Sequence, residues 1–428
     1  MRKLNIAIIG LGNIGCYLFK YLQENKNILA RKNNSLPIVK YVSAKNRKKK
    51  RDIIINKNQW LNNYLDATRN KNVDLIVELI GGSEGPAKKL VFNALKNKKH
   101  VVTANKALIA KYGDQLAKIA EKNKVNLEFE ASVCGGVPII RSLKEGLIAN
   151  KISKIYGIFN GTSNYILSSM DKQKKTFNEV LSTAKKLGYA ESNPTADLNG
   201  DDVSSKLKIL SSLCFSSFLN NNIYVEGIKN IDSVDIDNAN KLGYKIKLLG
   251  FSELMDNKIY QRVHPTLIKK ESFVASIDGV LNAVIVDGKP VGQSTIQGEG
   301  AGPAATTSAL VSDISSISRG NIKFPFSLSD KERKKLLFSN IEERFFSAYL
   351  RFEVLDKPGV LSNITRIFSK NKVSIKRLVQ NPDRNKKSSS IVIITHESKD
   401  KFLKKVLKEV SRKKYIKDNS KLIRIDNS

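Results

Sequence analysis

Residues 5–15 read NIAIIGLGNIG, an apolar run that breaks into a glycine-spaced loop and gives way to the apolar-periodic segment Cys16–Gln23. The order is strand, GxGxxG loop, helix. Gly10 permits a tight turn, Gly12 lets the backbone approach a pyrophosphate, and Gly15 lets helix and strand pack closely. Asn13 and Ile14 complete the loop, and the helix N-terminus adds partial positive charge at the same place. The segment predicts a dinucleotide-binding unit at the start of the chain.

The pattern outward from this loop keeps alternating. Strands are expected at Ile38–Ala44, Val73–Ile80, His100–Thr103 and Asn126–Glu130, with helices at Lys88–Asn97 and Gln115–Lys122. Such alternation implies an α/β fold with a Rossmann-type parallel sheet over residues 1–130. From residue 131 to about 250, glycine-bearing polar motifs alternate with helices, and residues 258–298 predict short strands separated by turns. The run GEGAGPAATTSALVSDI reads as a loop feeding a helix, so residues of about 300–325 are expected to complete the first domain. Pro, Ser and the charged DKERKK stretch after residue 325 read as a linker. Residues 345–428 stand apart. Strands at Ser347–Val354, Val373–Val379, Ser390–Thr395 and Lys421–Ile425, with helices around Val360–Phe368 and Phe402–Val410, give the order βαββαβ.

Composition bounds the function classes. The 428 residues carry 74 Lys+Arg against 40 Asp+Glu, a formal net charge of +34. A nucleic-acid site concentrates such charge among aromatics. Here the excess is spread, at +16 over residues 1–130, +6 over 131–340 and +12 over 341–428, which favours a lysine-rich background over a nucleic-acid partner. Three distant cysteines (Cys16, Cys134, Cys214) exclude a disulfide framework or zinc ribbon and fit a reducing cytoplasm. Three histidines leave little for a His-based metal site or a Ser/His/Asp triad. No apolar run reaches the ~18 residues of a membrane span, and the apolar start meets its glycine loop too early for a signal peptide.

Two local features bear on chemistry. At the end of the second expected strand, where an acid would hold a ribose 2′-hydroxyl, the chain reads Ala44-Lys45-Asn46-Arg47-Lys48-Lys49-Lys50-Arg51, with no acid before Asp52. Lys45 and Arg47 suit a 2′-phosphate, which favours NADP, with NAD the alternative. Hydride transfer at an oxygen-bearing carbon also needs a proton donor. Asp202 and Lys206 lie four apart at the start of an expected helix, Asp201–Leu213, so they share a face. The carboxylate would keep the lysine charged, while desolvation would lower its pKa toward a useful range. An ordinary surface ion pair has the same spacing; the preceding Gly/Pro loop with Glu191 and Asp197 argues for more than that.

Residues 184–206, A-x3-G-Y-A-x3-P-x2-D-L-x-G-x-D-x3-K, resemble the homoserine dehydrogenase signature at every fixed position. Val101–Leu108 (VVTANKAL), Glu130–Pro138 (EASVCGGVP), Gly157–Leu167 (GIFNGTSNYIL) and Gly298–Thr306 are equally similar to that family, over roughly residues 4–320. The last block resembles an ACT domain, with DKPGVL as its first turn. The resemblance implies a central α+β catalytic and dimerisation domain over 131–325, an ACT regulatory domain over 345–428, and NADPH-dependent reduction of L-aspartate 4-semialdehyde to L-homoserine on the route to threonine and methionine. It implies Lys206 as proton donor, Asp202 and Glu191 as substrate ligands, Asp197 as their support, Lys106 beside cofactor and substrate, and Gly188 and Gly302 against the nucleotide. It further implies a monovalent cation, sodium, on carbonyls of Glu130, Val133, Gly135 and Val137, threonine as an effector, and a homodimer or homotetramer. The dense Lys45–Arg51 stretch departs from the family pattern, and no aspartate kinase segment precedes residue 1. A regulatory protein that merely kept the dehydrogenase frame is disfavoured by intact Lys106, Glu191, Asp202 and Lys206.

Overall fold

The computed structural model describes residues 2–219, 223–383, 388–417 and 420–426. Its first sheet is five-stranded and wholly parallel. In spatial order the strands are Ser35–Ser43, Arg2–Ile9, Leu75–Glu78, His100–Thr103 and Leu127–Glu128. Ile6, Ala7, Ile8 and Ile9 are all buried, as a strand covered on both faces requires. Alternation sends Ala7 and Ile9 into a core with Leu90 and Leu116 of helices Pro86–Lys96 and Lys106–Asn123. It sends Ile6 and Ile8 into a second core with Leu18 of helix Asn13–Glu24 and with Leu310 and Ile314 of helix Pro303–Ser318. The latter helix returns to this sheet after a long excursion.

Some elements differ from the sequence reading. Helix Lys106–Asn123 starts nine residues before the expected Gln115. Asn105 caps it, its side chain accepting from Leu108 N at 3.1 Å. Gly113, which reads as a breaker, sits inside it because Leu219 and Phe326 press there, each 2.9 Å from where a Cβ would stand. Helix Lys26–Asn33 was not expected; it buries only Leu29, Ala30 and Asn33 and so lacks a clear apolar stripe.

The second sheet carries long strands where short ones were expected. Gly292–Glu299, Leu281–Lys289, Lys151–Ile158, Tyr244–Met255 and Lys258–Lys269 run antiparallel to their neighbours in that order. The last two form a hairpin through Asp256 and Asn257, both at positive φ (49° and 58°), the twist-matched two-residue turn. Asp-Asn is a weaker signal than Asn-Gly, which hid the hairpin.

The terminal block folds in the expected order: Phe345–Leu355, Val360–Lys370, Ile375–Asp383, Ser388–Thr395, Asp400–Ser411 and Lys421–Asp426. Its sheet does not stand alone. Lys421–Asp426 pairs antiparallel with Phe345–Leu355 on one side and parallel with Lys258–Lys269 on the other, in the register Arg424↔Thr266, Ile425↔Leu267 and Asp426↔Ile268. The second sheet and the terminal sheet are one continuous sheet. Nor is the DKERKK stretch a loose linker: Arg333 is buried and donates to Asp114 and, at 2.8 Å, to Ser217 O. No helix among the described residues is long and apolar enough to cross a membrane.

Candidate active site

The glycine turn has steric reasons that can be read atom by atom. Gly10 sits at φ +113°, and a Cβ there would lie 2.4 Å from Leu79 O; at Gly15 it would lie 2.0 Å from Gly10 O. These two glycines let strand, turn and helix close on one another. Gly12, the N-cap of helix Asn13–Glu24, has open space instead. The first helical N–H groups therefore face a free volume, the setting in which phosphate oxygens bind. Gly10 N donates to Ser43 O at 2.9 Å, so the exposed basic stretch from Lys45 begins two residues beyond the strand end that abuts this turn. Arg51 ties the stretch down. Its Nε donates to Leu11 O at 3.1 Å, its Nη2 to Asn46 O at 2.7 Å, and it shares the Trp60 ring with Arg47.

A cleft of about 610 Å³ opens beside the turn, and its lining includes Ile14, Lys106, Gly135, Gly188, Glu191, Asp197, Asp202, Lys206 and Gly302. At its centre the Asp202 carboxylate sits between two ammonium groups. Oδ1 lies 2.8 Å from Lys106 Nζ, and Oδ2 lies 2.9 Å from Lys206 Nζ. Asn160 Nδ2 donates to Asp202 Oδ2 at 2.9 Å and to Asp197 Oδ1 at 2.7 Å. Lys206 Nζ also donates to Phe159 O at 2.6 Å. Asp202 and Lys206 lie on the first turns of helix Asp201–Cys214 and are 6% and 8% exposed, so the pair is not a solvated surface bridge. Lys106, on the first turn of its own helix, keeps 41% of its side chain open to the cleft.

The electrostatics follow from this geometry. Burial works against the Asp202 carboxylate, but the two ammonium groups outweigh it and hold its pKa well below the usual carboxylate range. Burial likewise works against the Lys206 ammonium. Asp202 and, further off, Cys134 and Asp197 outweigh it, so the lysine pKa is raised. This corrects the expectation that desolvation would lower it: the carboxylate contact wins, and Lys206 is held as a proton-bearing acid. Asp197, half-buried and facing the Asp202 charge, is pushed up by desolvation and by that charge.

The structure does not bring every singled-out residue into the cleft. Lys45 is exposed outside its lining, Gly10, Gly12, Asn13 and Gly15 form the turn beside it, and Glu191 lies at its exposed edge. Glu130, Val133 and Val137 are buried behind Gly135. The Glu130 carboxylate accepts from Ile140 N and Arg141 N at 2.9 and 2.7 Å; burial pushes its pKa up to about 7. Its carbonyl accepts only a long bond from Val133 N, 3.3 Å, and that of Val137 accepts from Ile139 N; the Val133 and Gly135 carbonyls accept none among the described residues. The Val133 and Gly135 carbonyls, which take no protein donor among the described residues, are hard oxygens of the kind a cation takes as ligands. No cluster of three or more His, Cys, Asp or Glu among the described residues could hold a metal through side chains. Asn160 was missed as a functional residue. Its signal was its place before Gly161 as a helix N-cap, where its Oδ1 accepts from Ser163 N at 2.7 Å.

Residues 10–130 match the protein family described as "Homoserine dehydrogenase, NAD binding domain", residues 138–315 the family "Homoserine dehydrogenase", and residues 348–413 the "ACT domain". The homoserine dehydrogenase of Neisseria gonorrhoeae is 38% identical over 436 residues, spanning 100% of this chain and 99% of that protein. That of Helicobacter pylori is 38% identical over 427 residues and 100% of both. A crystal structure of a homoserine dehydrogenase from Thiobacillus denitrificans superposes with a TM-score of 0.92 at 36% identity, covering 100% of this chain and 99% of that one. Likeness at that level runs through the glycine turn, the cleft and the terminal block alike, and the chain belongs to the homoserine dehydrogenase family of oxidoreductases.

Proposed function

We propose that the enzyme reduces L-aspartate 4-semialdehyde to L-homoserine with NADPH, and that the reaction centres on the Lys106–Asp202–Lys206 array. The observation that carries this reading is the buried carboxylate held between two ammonium groups, in a cleft that Ile14 of the glycine turn also lines. The glycine turn, Gly188 and Gly302 would hold the nucleotide, whose reduced nicotinamide would supply the hydride. Lys206 donates the proton that the aldehyde oxygen requires as it becomes an alcohol, so hydride and proton together balance the reduction. Its raised pKa keeps that proton in place until the oxygen turns basic. Asp202 fixes Lys206 and, through its other oxygen, aims Lys106 into the cleft. Glu191, at the edge, takes the substrate ammonium, and Asp197 backs the site through Asn160. Lys45 and Arg47, on the loop that Arg51 pins to the glycine turn, would meet a 2′-phosphate and set a preference for NADPH over NADH. The carbonyls of Glu130, Val133, Gly135 and Val137 would hold a sodium ion that stiffens the turn behind Gly135.

The domain limits follow the same reading: a nucleotide domain over 1–130 completed by residues around 303–318, a catalytic and dimerisation domain to about 325, and an ACT domain over 345–428 that takes threonine as feedback effector in a homodimer or homotetramer. The test is steady-state loss of NADPH absorbance with aspartate semialdehyde, repeated with NADH and with added threonine. Absence of turnover in folded protein refutes the reaction; equal kcat/KM for the two nucleotides refutes the basic-loop reading.

A further inference from the structure

Glu78 ends the third strand in chain order of the parallel sheet, Leu75–Glu78, and is fully buried. No lysine, arginine or histidine among the described residues pairs with it; three neutral donors do instead. Oε1 accepts from Ile80 N at 2.8 Å and from Gly81 N at 3.0 Å, and Oε2 accepts from Thr103 Oγ1 at 2.5 Å. A buried acid without a counter-ion is costly unless such bonds compensate it. A carboxylate only accepts, so donors on both oxygens suit it, whereas an amide of the same shape has one accepting end.

The two oxygens hold two different loops. The first, Ile80–Gly82, leaves the strand beside the glycine turn. Glu78 pairs in register with Ile9, Leu79 N donates to Ile9 O at 2.8 Å, and Leu79 O is the atom that leaves no room for a side chain on Gly10. Gly81 and Gly82 are exposed, at φ +83° and +79°, with open space over both. The second loop runs from Thr103 to Lys106. Thr103 Oγ1 accepts from Asn105 N at 3.0 Å, and Asn105 caps the helix that Lys106 begins. Asn105 Nδ2 reaches back to Gly82 O at 2.7 Å, which closes a ring of bonds through Glu78, Gly82, Asn105 and Thr103. Ala104 and Lys106 of the second loop line the catalytic cleft.

We propose that Glu78 is a positioning residue for the reduction: it locks the loop beside the glycine turn to the loop that carries Lys106, so that nucleotide and Lys106–Asp202 contact are held in one fixed relation. Glu78 lines no part of the cleft and acts through Asn105 and Lys106. Lys106 Nζ stands 2.8 Å from Asp202 Oδ1, so a small shift of its helix start breaks the contact. Misplacement by about 1 Å from a change outside the chemistry costs up to about 10²-fold in rate. The proposal rests on the reading that nucleotide and aldehyde meet beside Lys106. A carboxylate that only capped its own strand would stabilise the fold without separating nucleotide affinity from turnover.

That separation is the test. In the full-length chain, Glu78→Gln and Thr103→Val are compared with wild type by NADPH titration followed through nicotinamide fluorescence, by steady-state kcat, and by melting temperature. Glu78→Gln keeps the shape and loses one acceptor, so both loops loosen: the NADPH dissociation constant rises about fivefold and kcat falls about tenfold. Thr103→Val is matched in shape and cuts only the branch to Asn105: kcat falls about tenfold while NADPH affinity stays within about twofold. Both changes break one shared link, so kcat in the double variant falls no further than in the worse single variant. If Glu78→Gln fails to fold, Thr103→Val carries the expectation alone. Wild-type kcat in Thr103→Val, equal losses of affinity and kcat in both variants, or losses that multiply in the double variant overturn the proposal. A wild type that binds NADPH but turns nothing over refutes the reaction reading and this proposal with it; wild-type turnover with unsplit variants refutes this proposal alone.

Discussion

Asp202→Asn removes one charge and almost no volume, which makes it the sharpest test of the central array. At 2.9 Å and an effective dielectric of about 20, the Asp202–Lys206 attraction is roughly 6 kcal/mol gross. Desolvation of both groups offsets part of it, and breaking one partner of a buried pair typically costs about 3–5 kcal/mol because the other is left charged without a counter-ion. The Lys106 arm is 41% exposed, so its loss adds at most about 1 kcal/mol. The asparagine also turns an N–H₂ toward an ammonium group or toward Asn160. In the variant, Lys206 keeps the burial that disfavours its charge and loses the contact that outweighed it, so its pKa falls. Three readouts follow. Stability in urea drops by about 3–5 kcal/mol. kcat for aldehyde reduction falls by a factor on the order of 10²–10⁴, the worth of a positioned acid. The alkaline limb of the reduction rate moves toward neutral pH. Asp202 is depressed in the folded chain, so its contribution to wild-type stability is present above the free-aspartate value of 3.8 and fades as pH falls through the folded value. The variant lacks that acid limb. Wild-type stability, kcat and pH profile in Asp202→Asn would refute the reasoning, because a carboxylate that did not hold Lys206 would be dispensable.

The remaining predictions rest on separate contacts. Lys206→Ala lowers kcat by about 10²–10⁴ with KM nearly unchanged; a variant with wild-type kcat reassigns the proton to Lys106 or water. Arg51→Ala frees the basic loop from Leu11 O and Asn46 O, so KM for NADPH rises severalfold and KM for NADH changes less; a parallel rise in both would make Arg51 a general support of the turn. In the reverse direction Lys206 must first lose its proton, and its raised pKa leaves little base at neutral pH. The rate of homoserine oxidation therefore climbs by up to about tenfold per pH unit through the neutral range, and an oxidation rate flat from pH 6 to 8 would exclude Lys206 as the base.

The parts of this site that were legible in the sequence are those whose physics is local. Gly15 is dictated by a clash with Gly10 O inside the turn itself, and Asp202 and Lys206 share a face because they are four apart on one helix. The Lys106–Asp202 contact joins two helix N-termini 96 residues apart, and no local spacing encodes it; only the family likeness placed Lys106 there. The charge state of Lys206 was misjudged for the same reason. Burial and the carboxylate push its pKa in opposite directions, and their balance is decided by a distance that the sequence does not contain.

The seam between the sheets was invisible for a different reason. Lys421–Ile425 alternates as an edge strand of a small sandwich does, and nothing in that pattern says that its outer edge is already paired with Lys258–Lys269. What the sequence does contain are charged residues at strand positions, Arg262 and Arg424, that look solvated and are both buried where the sheets join. Their carboxylate partners come from both sides: Glu253 and Glu226 from the catalytic part, Asp400 from the terminal block. Removing the terminal block would therefore do more than delete a separate module. It would strip a strand from Lys258–Lys269, expose a row of unpaired backbone groups, and take Arg424 away from Glu226. The terminal block is part of the sheet on which helix Asp201–Cys214 rests, so it supports that helix as well as closing the sheet edge.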